Sequence, residues 1–148
     1  MSRRSQLAVL VLAGAGLAFA SGSGMTLLPK RTLGNLAPGE VFEVIGDLYA
    51  LWVATDLNAR KPDIIAIVPL RLRGPEIMSV HLLPRGSRIE IVRKMDGRWP
   101  AFLYPDRYLV VSRSIDNPTG LPVVLDLAQG NEGTATPLNP EIYRPLKN

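Results

Sequence analysis

One pattern occurs twice in this chain, 47 residues apart and without a gap. The first copy reads LAPGEVFEVIGDLYALWVA from Leu36 to Ala54, and the second reads LPRGSRIEIVRKMDGRWPA from Leu83 to Ala101. Leu36 aligns with Leu83, Gly39 with Gly86, Phe42 with Ile89, Glu43 with Glu90 and Val44 with Ile91. Ile45 aligns with Val92, Leu48 with Met95, and Ala54 with Ala101. The only two tryptophans, Trp52 and Trp99, share this register. A repeat unit is usually one supersecondary unit that completes its core against a neighbour. The pattern therefore constrains the fold to something built twice, as two small domains or as one body made of two related halves.

Each copy opens on a turn and runs into β-type residues. Val41 to Ile45 is bounded by Pro38-Gly39 and Gly46-Asp47, and reads as a strand. Leu48 to Asn58 is ambiguous, because Leu48, Leu51, Trp52 and Thr55 also fall at helical spacing behind Asp47. Pro100 in the matching segment favours a strand. Ile64 to Arg73 reads as a long strand with an alternating second half, Leu70-Arg71-Leu72-Arg73. Further strands are expected at Ile77–Leu83, Arg88–Lys94, Trp99–Tyr104, Arg107–Ser112 and Pro122–Leu127. Asp96-Gly97 marks a tight hairpin turn. Many short strands with frequent turns and no long helix predict an all-β fold, a small barrel or sandwich. Residues 128–148 are rich in Gly, Pro and Asn and read as an extended C-terminal tail. In that tail Ile142 and Tyr143 are placed to dock on a partner or on the body of the protein.

The first twenty residues carry the pattern of an export signal. Arg3 and Arg4 precede an apolar run from Leu7 to Phe19, and Ala18-Phe19-Ala20 fits small-x-small cleavage after Ala20. The run is short for a bilayer span. The other reading is an uncleaved N-terminal anchor. The expectation is a signal peptide over residues 1–20, an all-β region over 21–127 with repeat units of about 33–79 and 80–127, and a periplasmic or secreted location. The chain has no cysteine, which excludes disulfides, thiolate metal sites and a cysteine nucleophile.

At this point the second copy resembles a bacterial SH3-like domain. Leu83, Gly86, Ile89 and Ile91 are followed by Gly97-Arg98-Trp99 and Phe102, and a later short strand covers Tyr108 to Val111. The first copy keeps Leu36, Gly39, Phe42, Val44 and Trp52, and has Ala50 and Leu51 where the second has Gly97 and Arg98. The resemblance implies an SH3-like barrel and a binding module for cell-wall peptide, glycan or a protein partner.

Signals for chemistry are sparse. His81 is the only histidine and lies between Val80 and Leu82, so no metal set and no serine–histidine elbow is in view. Its apolar strand makes it a structural histidine with a satisfied hydrogen bond. Glu43 and Glu90 occupy equivalent repeat positions, and their strand alternation points them to solvent as solubilising carboxylates. No phosphate loop or nucleotide fingerprint occurs. The formal charge of +4 is unevenly spread. From Arg71 to Arg113 nine basic residues face four acidic ones. A basic stretch attracts anionic polymers or surfaces.

These readings converge on an exported, non-catalytic interaction module with no cofactor and no metal. The expected contact surface is Arg93, Lys94, Arg98, Trp99, Tyr104 and Arg107, gathered around one hairpin, with guanidinium groups for carboxylates or phosphates and aromatics for apolar contact. The expected partner is an anionic cell-envelope component or an envelope protein rather than nucleic acid, with membrane association only through an uncleaved signal. The alternative is a structural subunit of an envelope or secretion assembly that uses β-edge pairing. A cell-wall-acting enzyme is third.

Overall fold

The computed structural model describes residues 34–96 and 106–147. The expected signal peptide, the Asp96-Gly97 turn beyond Asp96, and the Trp99–Tyr104 strand lie outside them. Among the described residues the protein is all-β. Its eight strands are β1 (Val41–Val44), β2 (Leu48–Val53), β3 (Ile64–Val68), β4 (Ile77–Leu83), β5 (Arg88–Lys94), β6 (Arg107–Val111), β7 (Val123–Asp126) and β8 (Tyr143–Leu146). They form one mixed sheet in the order β4-β2-β3-β7-β6-β5-β1-β8. β3 and β7 are parallel, and the other pairings are antiparallel. β1 and β2 lie far apart in that order, yet only Ile45, Gly46 and Asp47 separate them in the chain. The sheet must therefore curl round on itself.

The repeat is visible as geometry. Phe42 pairs with Ile89 across β1 and β5, and these are the residues the sequence aligns. Gly39 and Gly86 each sit at the third position of a four-residue turn, with φ of 86° and 89°. That left-handed conformation is open to glycine and strained for most other residues. The Gly39 N–H donates to the Ile91 carbonyl at 2.7 Å, and the Gly86 N–H donates to the Val44 carbonyl at 2.7 Å. Ile91 N–H donates to Glu40 at 2.9 Å, and Val44 N–H donates to Ser87 at 2.8 Å. Each bond has its counterpart 47 residues along. A local twofold axis thus passes between β1 and β5, and the strands of both copies share one sheet. The same ladder continues from β1:β5 into β2:β4, where Leu48 pairs with Leu83 and Trp52 with Ser79.

β2 resolves the ambiguous segment as a strand. Its alternation does not show in burial, because both faces are covered: Leu48, Ala50, Leu51 and Val53 are all buried. Leu48, Ala50, Ile65, Ile67, Ile89, Ile91, Tyr108 and Leu125 belong to the main core. Leu51, Val53, Ala66 and Val68 form a second cluster under Leu72, Ile77 and Val80.

One expectation is corrected. The long strand from Ile64 to Arg73 stops at Val68. Pro69 has no N–H to donate, and the Leu72 N–H folds back onto the Leu70 carbonyl at 2.9 Å. Leu72 then packs on the second cluster while Leu70 stays exposed, so the alternation reflects a loop with one anchor. The C-terminal segment lies against the body, which is one of the two docking places left open for Ile142 and Tyr143. Asn131, Leu138, Ile142 and Tyr143 are buried, and β8 pairs with β1 from Val41↔Leu146 to Val44↔Tyr143. Asn131 holds it there. Its amide donates to the carbonyls of Ile67 at 2.9 Å and Asp126 at 2.8 Å, and its own carbonyl accepts the Tyr143 hydroxyl. Burial pushes the Tyr143 phenol well above its ordinary pKa, so it stays a donor.

Candidate interaction site

The two edges of the sheet are built differently. β8 is four residues long and carries Arg144 and Pro145. Proline removes an N–H from the ladder and charge discourages strand addition, two usual protections of an edge. β4 is seven residues long, reads IMSVHLL, and contains no proline, glycine, lysine, arginine or carboxylate. Among the described residues its one pairing is with β2. Met78 is 44% exposed and Leu82 is 59% exposed. One irregularity relieves the edge: the register with β2 shifts between Trp52 and Val53, so Met78 is the extra residue of a bulge. From Ser79 to Leu83 the strand is regular.

β4 is an edge for a local reason. It leads directly into the second copy through Leu83 and the Pro84–Ser87 turn, so its course is fixed by the β1:β5 twofold. Its first residues are fixed by the Gly74-Pro75 turn, where the Ile77 N–H donates to the Gly74 carbonyl at 3.1 Å. A Cβ on Gly74 would meet the Glu76 carboxylate. Glu76 itself is 1% exposed, and among the described residues neither of its carboxylate oxygens has a hydrogen-bond partner. The His81 ring meets Trp52 edge-on, with centroids 4.8 Å apart and an interplanar angle of 74°. This aromatic contact holds His81 on the face of β4 opposite Val80 and Leu82. His81 is exposed, contrary to the expected structural histidine of an apolar strand. No group of three metal-ligating side chains occurs among the described residues.

The residues expected to bind are distributed as follows. Arg93, Lys94 and Arg107 do come together at the stem of the β5–β6 hairpin, where Lys94 pairs with Tyr108 and the Met95 N–H donates to the Arg107 carbonyl. Arg98, Trp99 and Tyr104 lie outside the described residues. Arg93 and Lys94 are exposed and Arg107 is half-buried, and each has a protein partner. Lys94 Nζ is 3.1 Å from Asp106 and donates to the Asn35 side chain at 3.2 Å. Arg107 Nε lies 3.1 Å from the Asp126 carboxylate, whose side chain is only 7% exposed. The other Asp126 oxygen accepts the Ala128 N–H at 2.8 Å. Arg93 donates to the Lys94 carbonyl at 3.3 Å. The Arg107–Asp126 pair ties β6 to β7 and reads as structure rather than as a ligand contact.

The paired glutamates also differ from each other. Glu90 is exposed, as alternation predicts, but Glu43 accepts from Arg144 of β8, with Nε at 3.1 Å. A shallow groove of about 310 Å³ lies between the Pro38–Phe42 segment and Pro145–Leu146. Its one acid, Glu40, is engaged with the Ala37 N–H at 2.7 Å. Comparison of the chain with protein-family models, with curated proteins and with solved structures returned no match.

The β4 edge was not among the residues singled out from the sequence. Its signal was present as a run of eight residues without a formal charge between Glu76 and Arg85. Only the strand order turns that run into an edge.

Proposed function

We propose that this chain is an exported, non-catalytic interaction module of the cell envelope that takes a protein partner by strand addition along β4. The observation that carries the reading is the contrast between the two edges. The long, uncharged β4 offers backbone donors and acceptors flanked by Met78 and Leu82, while Arg144 and Pro145 guard β8. Main-chain bonds would supply affinity, and alternate side chains would supply selectivity. The resemblance of the second copy to bacterial SH3-like binding domains points in the same direction. An anionic polymer on the hairpin stem is the weaker reading, because Lys94 and Arg107 are already held by Asp106 and Asp126.

Photo-cross-linking in living cells tests this. A benzophenone amino acid replaces Leu82 in one chain and the loop residue Leu57 in another. Protein adducts from position 82 and none from position 57 are expected. An absence of protein adducts at position 82 would sink the reading.

A further inference from the structure

Beside the β4 edge lies an apolar face bordered by charges of one sign. β2, β3 and β4 hold no lysine, arginine or carboxylate. Two rows of side chains cross these strands on the face of the second cluster. Tyr49 pairs with Val68 on one side and with Leu82 on the other, and Leu51 pairs in the same way with Ala66 and Val80. Both rows end within the regular part of β4, Ser79 to Leu83. Burial falls towards that edge. Val68 is fully buried, Tyr49 is half-buried and Leu82 is 59% exposed. Leu51 is fully buried and Val80 is half-buried. Each row is an apolar stripe that stops at the edge.

The loop from Pro69 to Glu76 passes over this face, from the end of β3 to the start of β4. Leu72 packs there on the same cluster as Ile77 and Val80. Arg71 and Arg73 flank Leu72 in the chain, so both stand at the border of the face. Both are exposed, and among the described residues neither has a hydrogen-bond or ion-pair partner. The one carboxylate between Pro69 and Arg85 is Glu76, which is buried. Arg85, just beyond β4, is a third exposed cation, and its ion pair with Asp47 lies on the surface.

Rows and charges together describe the missing neighbour. We infer that β4 takes an acidic strand of another protein, an inference that rests on the reading of β4 as the interaction edge. Alternate apolar side chains of that strand continue the Tyr49–Leu82 and Leu51–Val80 rows, and its carboxylates meet Arg71 and Arg73. Successive strand residues point to opposite faces, so an added strand lays every second side chain beside Val80 and Leu82 and the others beside Ser79 and His81. Apolar residues suit the first set and polar ones the second, a hydroxyl and an imidazole. Guanidinium groups pair with carboxylates through two parallel hydrogen bonds. A basic segment would meet Arg71 and Arg73 with like charge, which opposes docking.

The test uses the full chain in living cells with the benzophenone amino acid at position 82. Mass spectrometry of the adduct reads the partner's sequence at the cross-link. The expected segment alternates apolar and polar residues and holds more acidic than basic ones. Arg71→Glu with Arg73→Glu is expected to lower the adduct yield about fivefold or more, as two reversed surface ion pairs imply. Arg71→Gln with Arg73→Gln, a milder change at the same exposed positions, is expected to fall between that and wild type. Arg113→Glu with Lys147→Glu makes the same change of net charge at exposed cations outside this face, and is expected to leave the yield near wild type. Thermal melts check that each variant folds.

A neutral or basic segment at the cross-link overturns the inference. So does a dimer of this chain as the sole adduct, or equal loss of yield in both charge-reversed pairs. Those results keep β4 as the interaction edge. An absence of protein adducts, adducts of lipid alone included, overturns both readings.

Discussion

Phe42 and Ile89 are equivalent in the repeat and are also partners in the β1:β5 ladder. A repeat whose copies meet at equivalent residues is related by a twofold axis at that point. Both side chains are buried in the main core, with Ile89 fully so. Ile89→Ala is therefore expected to cost about 2–5 kcal/mol, the usual range for truncating a buried isoleucine. Urea unfolding monitored by tryptophan fluorescence measures it.

The two turn glycines give a matched pair. A Cβ on Gly39 meets nothing within 4 Å, and one on Gly86 meets only the Glu43 carboxylate at 4.0 Å. The cost of Gly39→Ala and of Gly86→Ala is then conformational, roughly 1–2 kcal/mol each for a left-handed residue. Equal losses in unfolding free energy are expected. A loss confined to one site would show that the turns are not equivalent.

Arg107 and Lys94 separate structural cations from surface ones. Asp126 is nearly buried and holds both Arg107 and the Ala128 N–H. Asp126→Ala is expected to destabilise by about 3 kcal/mol, at the lower end for a broken buried pair because Arg107 keeps some solvent. Lys94→Ala removes an exposed pair and is expected to cost less than about 1 kcal/mol. Thermal melts of the two variants decide it.

Tyr143 makes stability depend on alkaline pH. Its folded pKa is raised above the unfolded value of about 10, so the protonated form is favoured by folding. That contribution is whole below about pH 10 and is lost as pH rises beyond it. Tyr143→Phe is expected to flatten the alkaline limb of the stability curve. It also leaves the Asn131 carbonyl oxygen unsatisfied, at a cost of about 1–3 kcal/mol at neutral pH. Chemical denaturation from pH 7 to pH 11 reads both effects.

Removing residues 131–148 is expected to abolish cooperative unfolding. The deletion takes away Asn131, Leu138, Ile142 and Tyr143 from the buried interior and uncovers the edge of β1. Circular dichroism and amide exchange of the truncated chain check this. A native-like spectrum with a sharp melt would show that the C-terminal segment is dispensable.

The all-β class and most strands were legible from alternation and turn residues. β4, β5, β6 and β7 fall where β-branched runs end at Gly, Pro or Asp. The repeat was legible because its glycines need positive φ and its apolar positions line one core. β8 was not, since YRPL has neither length nor alternation and forms only because β1 offers an edge. Leu70 to Arg73 misled for the opposite reason: alternation is there, but Pro69 breaks the ladder and a single residue, Leu72, packs half-buried on the second cluster. Arg93 and Lys94 of the hairpin stem are on the surface, and what local pattern did not show is the pairing of Arg107 with Asp126, which another strand contributes. The β4 edge depends on strand order, which local pattern does not encode.

The reciprocal bonds of the two turns bear on how the chain folds in time. The Gly39 amide has its acceptor at Ile91, and the Gly86 amide has its acceptor at Val44. A polypeptide emerging from its N-terminus cannot complete the first turn until Ile91 has followed. Neither copy is a self-sufficient nucleus, and both must collapse together. Such non-local closure carries a large loop entropy and slows folding towards the millisecond-to-second range. The chain therefore stays without its β1:β5 ladder until both copies are available together.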